Sequence, residues 1–284
     1  MSKLIINADD FGLHSAVNDG ILEGHIKGVI TSTSLLANGH AFNEAVSMAK
    51  ENINLGIGVH IALVGGLSPV SDPTKVPSLV TKDGVFVENY IEFIKRLYKG
   101  EINYNEVRLE IANQIEKVVN TGLRITHVDG HQHMHILPTI LPIIIEAALA
   151  NHIKAMRIPN EKALFINGVY NPFRMIGKLG LSSVAEQVMS TVRQQGIHIN
   201  QYFWGMMNGG ELTEIALIRI LKKVKDHSGI HEIMTHPGRD NIMLNRLYHW
   251  NYHWKEELEA LTSDHVRRYI MQHNIELINY GDLQ

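Results

Sequence analysis

The feature that most constrains this chain is an end-to-end alternation of short β-rich runs with segments of helical apolar spacing. The strand candidates are residues 3–8, 30–36, 55–63, 124–129, 155–159, 197–203, 231–235 and 275–280. Between them, Val107, Ile111, Ile115 and Val118 recur at steps of four, four and three, which predicts a helix that stops at Thr121-Gly122. A second helix is expected over about 211–226, with Leu217, Ile220, Leu221 and Val224 on one face, and a third over about 254–273. Eight strand candidates separated by helices imply an α/β fold with a parallel sheet. The preferred architecture is a distorted TIM-like (β/α) barrel, with an open doubly wound sheet second. No linker or repeat divides the chain, so residues 1–284 are expected to form a single domain.

Residues 64–87 break the rhythm. Pro69, Pro73 and Pro77 interrupt regular structure there, and Lys82-Asp83-Gly84-Val85 has the composition of a hairpin turn. An excursion after the third strand would sit at that strand's C-terminal end, where barrel enzymes build their sites.

Composition removes several classes of function. A net charge of −3 gives no basic surface for nucleic acid. No apolar run approaches 18 residues, so no membrane span is expected. The apolar run at Leu4-Ile5-Ile6 is too short for a secretory leader, and a cytoplasmic location is expected. With no cysteine, there is no thiolate site, and any transition metal must be held by histidine and carboxylate. The 17 histidines are unusual because they cluster.

Chemistry concentrates at the ends of the strand candidates. Asn7-Ala8-Asp9-Asp10-Phe11-Gly12 puts two adjacent carboxylates after an apolar strand, which is costly unless they are solvated, paired or metal-bound. Strand neighbours face opposite ways, so one could hold a metal while the other faces substrate. The competing reading is a polar turn in which Asp10 caps the next helix. His60 lies inside an apolar strand, where a lone histidine is more often core than ligand.

The strongest signal is Thr126-His127-Val128-Asp129-Gly130-His131-Gln132-His133-Met134-His135. His127, Asp129, His131, His133 and His135 occupy odd positions, and much of that set shares one face until Gly130 ends the strand. They cannot all be ligands; some would fix the tautomers of others, or contact substrate. His236, before Pro237-Gly238, suits acid/base work at a barrel mouth. Arg157 ends another strand and could orient a carboxylate, bind a polar substrate group or form a structural salt bridge. Tyr248, Trp250, Tyr252 and Trp254 read as core or subunit interface before sugar-stacking surface.

These groups favour a metal-dependent hydrolase with open coordination positions. Two other readings compete. His127-Val128-Asp129 has the His-x-Asp form of a facial triad, completed by His198 or His236, as in non-haem iron oxygenases. Those enzymes typically use an all-β scaffold, which the helical stripes oppose. A metal- or sugar-binding module without catalysis is the other.

Taken together, the motifs resemble the YdjC-like carbohydrate deacetylases, which include chitooligosaccharide deacetylases. The resemblance covers nearly the whole chain. It rests on residues 7–12, on Val29-Ile30-Thr31-Ser32-Thr33-Ser34 with Asn38-Gly39, on Gly58-Val59-His60, on residues 126–135 and on Met234-Thr235-His236-Pro237. It implies a distorted (β/α) barrel related to the NodB-like deacetylases. It implies one divalent ion held by Asp10, His60 and His131, with Asp9 as general base and His236 as general acid. His127, Asp129, His133, His135 and Arg157 would then serve substrate binding or orient the ligands. Family members are described with magnesium, whereas two imidazoles favour Zn2+ or another transition ion over Mg2+. The implied substrate is an acetylated amino-sugar oligosaccharide, and the implied assembly a homodimer. The chain departs from the family pattern at Gln132, where a histidine is common.

Overall fold

In the computed structural model, residues 1–162, 165, 167 and 172–283 are described. Strand β1 (Ser2–Phe11) sets the frame. Leu4, Ile6 and Ala8 point outward into the apolar layer shared with the helices, while Ile5, Asn7 and Asp9 alternate inward. Both faces are buried, as a parallel sheet wrapped by helices requires.

From one edge of β1 the sheet continues through β2 (Ser32–Leu35), β3 (Gly56–Ile61), β4 (Ile125–Gly130), β5 (Ala155–Met156) and β6 (His198–Ile199). From the other edge come β7 (Tyr202–Trp204) and β8 (Gly229–Thr235), with β8 next to β1. The pairings are parallel. The last candidate strand, β9 (Glu276–Leu277), is not a barrel stave. It pairs with Lys3 and Leu4 of β1, below the stretch where Asn7, Ala8 and Phe11 pair with β2.

The helices are α1 (Ser15–Ile26), α2 (Phe42–Glu51), α3 (Tyr90–Tyr98), α4 (Tyr104–Val119), α5 (Leu141–Ala150), α6 (Pro172–Gln194) and α7 (Glu214–Lys225), then α8 (Asn241–Tyr248), α9 (Trp254–Leu261) and α10 (Asp264–Gln272). The single helix expected over 254–273 is two. Ser263 breaks it, its hydroxyl accepting from the His265 and Val266 N–H groups as the cap of α10. Similarly, the side chain that caps α1 is His14, not Asp10, which frees the Asp10 carboxylate.

The two ends of the sheet meet through one extended run. β6 pairs with β5, β7 pairs with β8, and only Asn200 and Gln201 separate them. The run at 197–203 therefore divides where its partner changes. Asn200 stitches the seam: its Oδ1 accepts from Ile158 N at 2.7 Å, and its Nδ2 donates to Ile158 O at 2.8 Å. Gln201 N donates to Ile230 O at 2.8 Å, and Gln201 Oε1 accepts from Ile230 N at 3.0 Å. Amide side chains here replace ladder bonds that a change of neighbour would leave open. The result is a curled, all-parallel half-barrel surrounded by helices, consistent with the distorted TIM-like barrel expected.

Filling the barrel explains two of its glycines. The lower interior is plugged by Ile5, Ala155, Ile278 and Tyr280. Above them lies the His127 ring, stacked on Tyr280 with centroids 4.1 Å apart. A Cβ on Gly58 would fall 2.3 Å from that ring, and one on Gly56 would fall 2.7 Å from Asn279. In the segment after β3, Val80 bridges Phe86, and Gly84 turns at φ 76°. The segment is held to α4 by the buried Glu110 carboxylate, which accepts from the Val70 and Ser71 N–H groups.

Replacing Asn200 by alanine should leave the buried Ile158 N–H unpartnered, while Ile158 O keeps its bond from Asn160 N at 2.8 Å. The expected loss is about 1–3 kcal/mol, the cost of one unsatisfied buried group, measured by urea unfolding. A loss under about 0.5 kcal/mol would show that the seam does not depend on this side chain.

Candidate active site

Strand ends deliver the chemistry, and local backbone irregularity aims it. β1 ends in Asp9 and Asp10, and Asp10 adopts a left-handed φ of 68°, rare for a residue with a Cβ. The twist sends the two carboxylates to different partners. β4 ends at Gly130 and passes into a 3-10 turn, His131–Ile136, in which Gln132 and His133 are also left-handed. That turn breaks the strand alternation and swings His131 over the mouth. His60 projects inward from β3.

Asp10, His60 and His131 are brought together. Each offers one ligand atom, all lying within 4.8 Å of one another, and all three residues are buried. Asp10 Oδ1 is 3.1 Å from His131 Nδ1 and 3.5 Å from His60 Nε2. His60 turns its other nitrogen, Nδ1, to Asp129 Oδ1 at 2.7 Å. This is how a carboxylate fixes the tautomer of a metal-binding imidazole. His131 Nε2 is buried with no hydrogen-bond partner. The donor set therefore fits a divalent ion. A second grouping, Asp9, His60 and Asp129, shares His60, whose Nδ1 already serves Asp129.

The charges shift one another strongly. Burial opposes ionisation of Asp10, but His131, His60 and His236 outweigh it and hold its carboxyl down at about 2. Burial likewise disfavours a charged His60, yet Asp129, Asp9 and Asp10 lift it to about 9. An approaching cation would displace that proton.

Arg157 lies fully buried among three carboxylates. It forks onto Asp9 at 2.6 and 2.7 Å, meets Asp129 Oδ2 at 2.9 Å and donates Nε–H to Glu232 at 2.8 Å. These partners of the Arg157 side chain are all carboxylates. Asn7 Nδ2 also donates to Asp9, at 2.9 Å. Ser34 Oγ donates to Asp129 Oδ2 at 2.6 Å and accepts from Asn7 Nδ2 at 2.8 Å. Burial outweighs the arginine at Glu232 and raises it to about 7, with the Tyr280 hydroxyl donating to it.

The remaining histidines separate. His127 is not at the mouth. It sits in the barrel core, and burial pushes it down to about 3, so it is neutral there. It belongs to neither ligand grouping, and the parallel β/α fold removes the oxygenase reading. His135 Nε2 donates to Arg157 O at 2.9 Å, and His133 packs edge-on to Phe203 at 5.6 Å. Both support the turn and the arginine strand. His236 lies at the end of β8 with its ring against Tyr252 at 4.9 Å. Burial lowers its pKa, opposed by Asp9 and Asp10. Gln132 accepts from Tyr90 N and donates to Glu88 O, tying the segment before α3 to the turn that carries His131.

Several site residues escaped sequence reasoning. Glu257 of α9 is fully buried and accepts from His236 N at 2.6 Å and Leu212 N at 3.1 Å, and burial raises it to about 8. Its signal was an acid inside the apolar stripe Trp254, Leu258 and Leu261. Glu232, an acid on a buried strand, was equally legible. The aromatic cluster is only partly core: Trp254 is buried, but Trp250 lies against His131 at 5.0 Å.

The family model for YdjC-like proteins matches residues 3–272. The chain belongs to the YdjC-like family. A relative named carbohydrate deacetylase from Brevibacillus brevis is 33% identical over 282 residues, 99% of each chain. Another of that name, from Clostridium beijerinckii, is 31% identical and covers 99% of this chain and 100% of its own. A solved structure from Enterococcus faecalis V583, of a protein proposed for cellobiose-phosphate cleavage, aligns with TM-score 0.77 and 26% identity, covering 99% and 98% of the two chains. Among the described residues of this YdjC-like protein, no helix is long and apolar enough to cross a membrane.

Two outcomes follow from the geometry. Arg157→Met leaves three buried carboxylates without their cation and should destabilise the fold by at least about 3 kcal/mol in chemical denaturation. Full retention of stability would show that the carboxylates do not rely on it. His131→Ala should fold but lose the ion after dialysis, as read by elemental analysis. Stoichiometric metal in that variant would remove His131 from the ligand set.

Proposed function

We propose that this YdjC-like protein is a metal-dependent carbohydrate deacetylase that hydrolyses the N-acetyl group of acetylated amino sugars. The observation that carries the reading is the division of labour at the end of β1. Asp10 turns toward His60 and His131, while its neighbour Asp9 is gripped by Arg157 and His236 feels both charges. The relatives named carbohydrate deacetylase support it over nearly the full length.

In this reading Asp10, His60 and His131 hold one divalent ion. Two imidazoles and one carboxylate favour zinc or another transition ion over magnesium. A bound ion supplies Lewis acidity toward the acetyl carbonyl and makes a nearby water more acidic. Asp9, aimed by the two-pronged Arg157 contact, takes a proton from the attacking water. The water oxygen joins the acetyl carbon. His236 gives a proton to the amide nitrogen as the C–N bond breaks, releasing acetate and a free amine. Glu257 steadies the His236 backbone during that transfer. A chitooligosaccharide such as N,N′-diacetylchitobiose is the proposed substrate class.

The test is acetate release from N,N′-diacetylchitobiose after chelation and restoration of individual metals. Asp9→Asn should retain the ion and lose turnover by on the order of 10²–10⁴-fold, the usual reach of a positioned base. If that variant loses the ion as well, Asp9 and Asp10 have exchanged roles. If the metal-loaded protein releases no acetate from any acetylated sugar, it is a binding module.

A further inference from the structure

Trp250 and Tyr252 have no part in the chemistry above, yet both touch it. They lie between α8 and α9. The Trp250 ring meets His131 at 5.0 Å, and the Tyr252 ring meets His236 at 4.9 Å. One short arm therefore covers both a candidate ligand and the candidate acid. Beneath it, Asp10, His60 and His131 are 2%, 1% and 5% exposed, too little for a sugar to reach them.

The arm is tied at its ends. Tyr248 Oη donates to Leu13 O at 3.2 Å, Asn245 Nδ2 donates to Tyr252 O at 2.9 Å, and His253 N donates to Gly210 O at 2.7 Å. Gly210 is required where Tyr252 crosses it, because a Cβ there would fall 2.1 Å from the ring. Between the ties, His249 and Asn251 flank Trp250 with left-handed φ values of 51° and 55°. Such conformations at residues with side chains persist only when the surroundings enforce them, and they gather at sites where the chain moves or clamps. His249 and Asn251 are exposed, and the Trp250 side chain is half-buried. Its ring touches Tyr248, Tyr252 and Trp254 at 5.2–6.4 Å, contacts that can be remade after a rotation.

We propose that this arm selects the substrate: a sugar reaches the Asp10–His60–His131 group by displacing Trp250, and the displaced indole then stacks on a pyranose ring. The stacking half rests on the deacetylase reading; the covering half does not. Aromatic faces suit the C–H face of a sugar, and Trp250 stands beside the group where the acetyl carbonyl would be held.

Two readouts separate these halves. The zinc-loaded protein is stripped with excess EDTA, and zinc loss is followed over time. Trp250→Ala should lose zinc about tenfold faster than the parent, because the apolar shell controls solvent access to a metal. Trp250→Phe, which keeps a ring, should fall between them, and thermal melts confirm that each variant is folded. With N,N′-diacetylchitobiose, Trp250→Ala should raise KM about two- to tenfold, the worth of one aromatic contact, and Trp250→Phe should restore most of it. Equal stripping rates in all three proteins would overturn the cover. A fall in kcat with KM unchanged would overturn the stacking role. If the parent itself releases no acetate, the deacetylase reading fails, and the stripping rates alone decide whether Trp250 is a cover.

Discussion

The structure depends on one guanidinium inside a barrel. Interiors of β/α barrels are usually packed with branched apolar side chains. Here the upper interior is polar, and Arg157 is the fixed charge that makes it tolerable. A lysine could not do this, because one point charge cannot fork onto Asp9 while also meeting Asp129 and Glu232. Charge balance then bears on what the site could hold. Asp9, Asp10 and Asp129 are three acids against one arginine, and Glu232, raised to about 7, shares its site with a proton near neutrality. Two negative charges remain. Without an ion, His60 answers part of that excess by holding a proton up to about 9. A dication bound there would answer all of it and would leave His60 neutral, as a ligand has to be.

The same balance orders the site in layers. Apolar Ile5, Ala155 and Ile278 close the bottom, and Tyr280 presents its hydroxyl upward to Glu232. Neutral His127 fills the next level, possible only because β3 carries glycine at position 58. Arg157 and its acids form the level above, and the Asp10–His60–His131 group crowns them. Tyr280 donates to Glu232, Glu232 and Asp9 share Arg157, and Asp129 accepts from His60, so the groups at the mouth are oriented from below, before any substrate arrives.

Much of this was legible in the sequence. Period-two and helical spacing located the strands and the barrel, because burial on both faces of a parallel sheet leaves long apolar runs. Odd-numbered spacing placed His127 and Asp129 on the inward face. What it could not say was depth. His127 and Asp129 differ by one strand level, and that alone makes one a core filler and the other the partner of His60. Periodicity also missed the division at Asn200 and Gln201, because a strand that changes neighbour keeps its alternation. The choice of His131 among five candidates, and of Asp10 over Asp9 as ligand, came from resemblance, since both turn on backbone geometry that residue type does not encode.

That geometry is where the chain breaks its local rules. Of the eight described non-glycine residues with left-handed backbone, five (Asp10, Gln132, His133, His249 and Asn251) fall at the end of β1, in the turn after β4 and in the aromatic arm, the three segments that meet at His131. A regular strand would send Asp9 and Asp10 to opposite faces, losing one of them to the helix layer. The left-handed residue keeps both carboxylates at the mouth and gives them different neighbours. The turn after Gly130 does the same for its successive histidines, sending His131 to Asp10 and His135 to the backbone of Arg157. Adjacent identical residues thus acquire unlike tasks, and the strain that does this is carried by a network already anchored on one arginine.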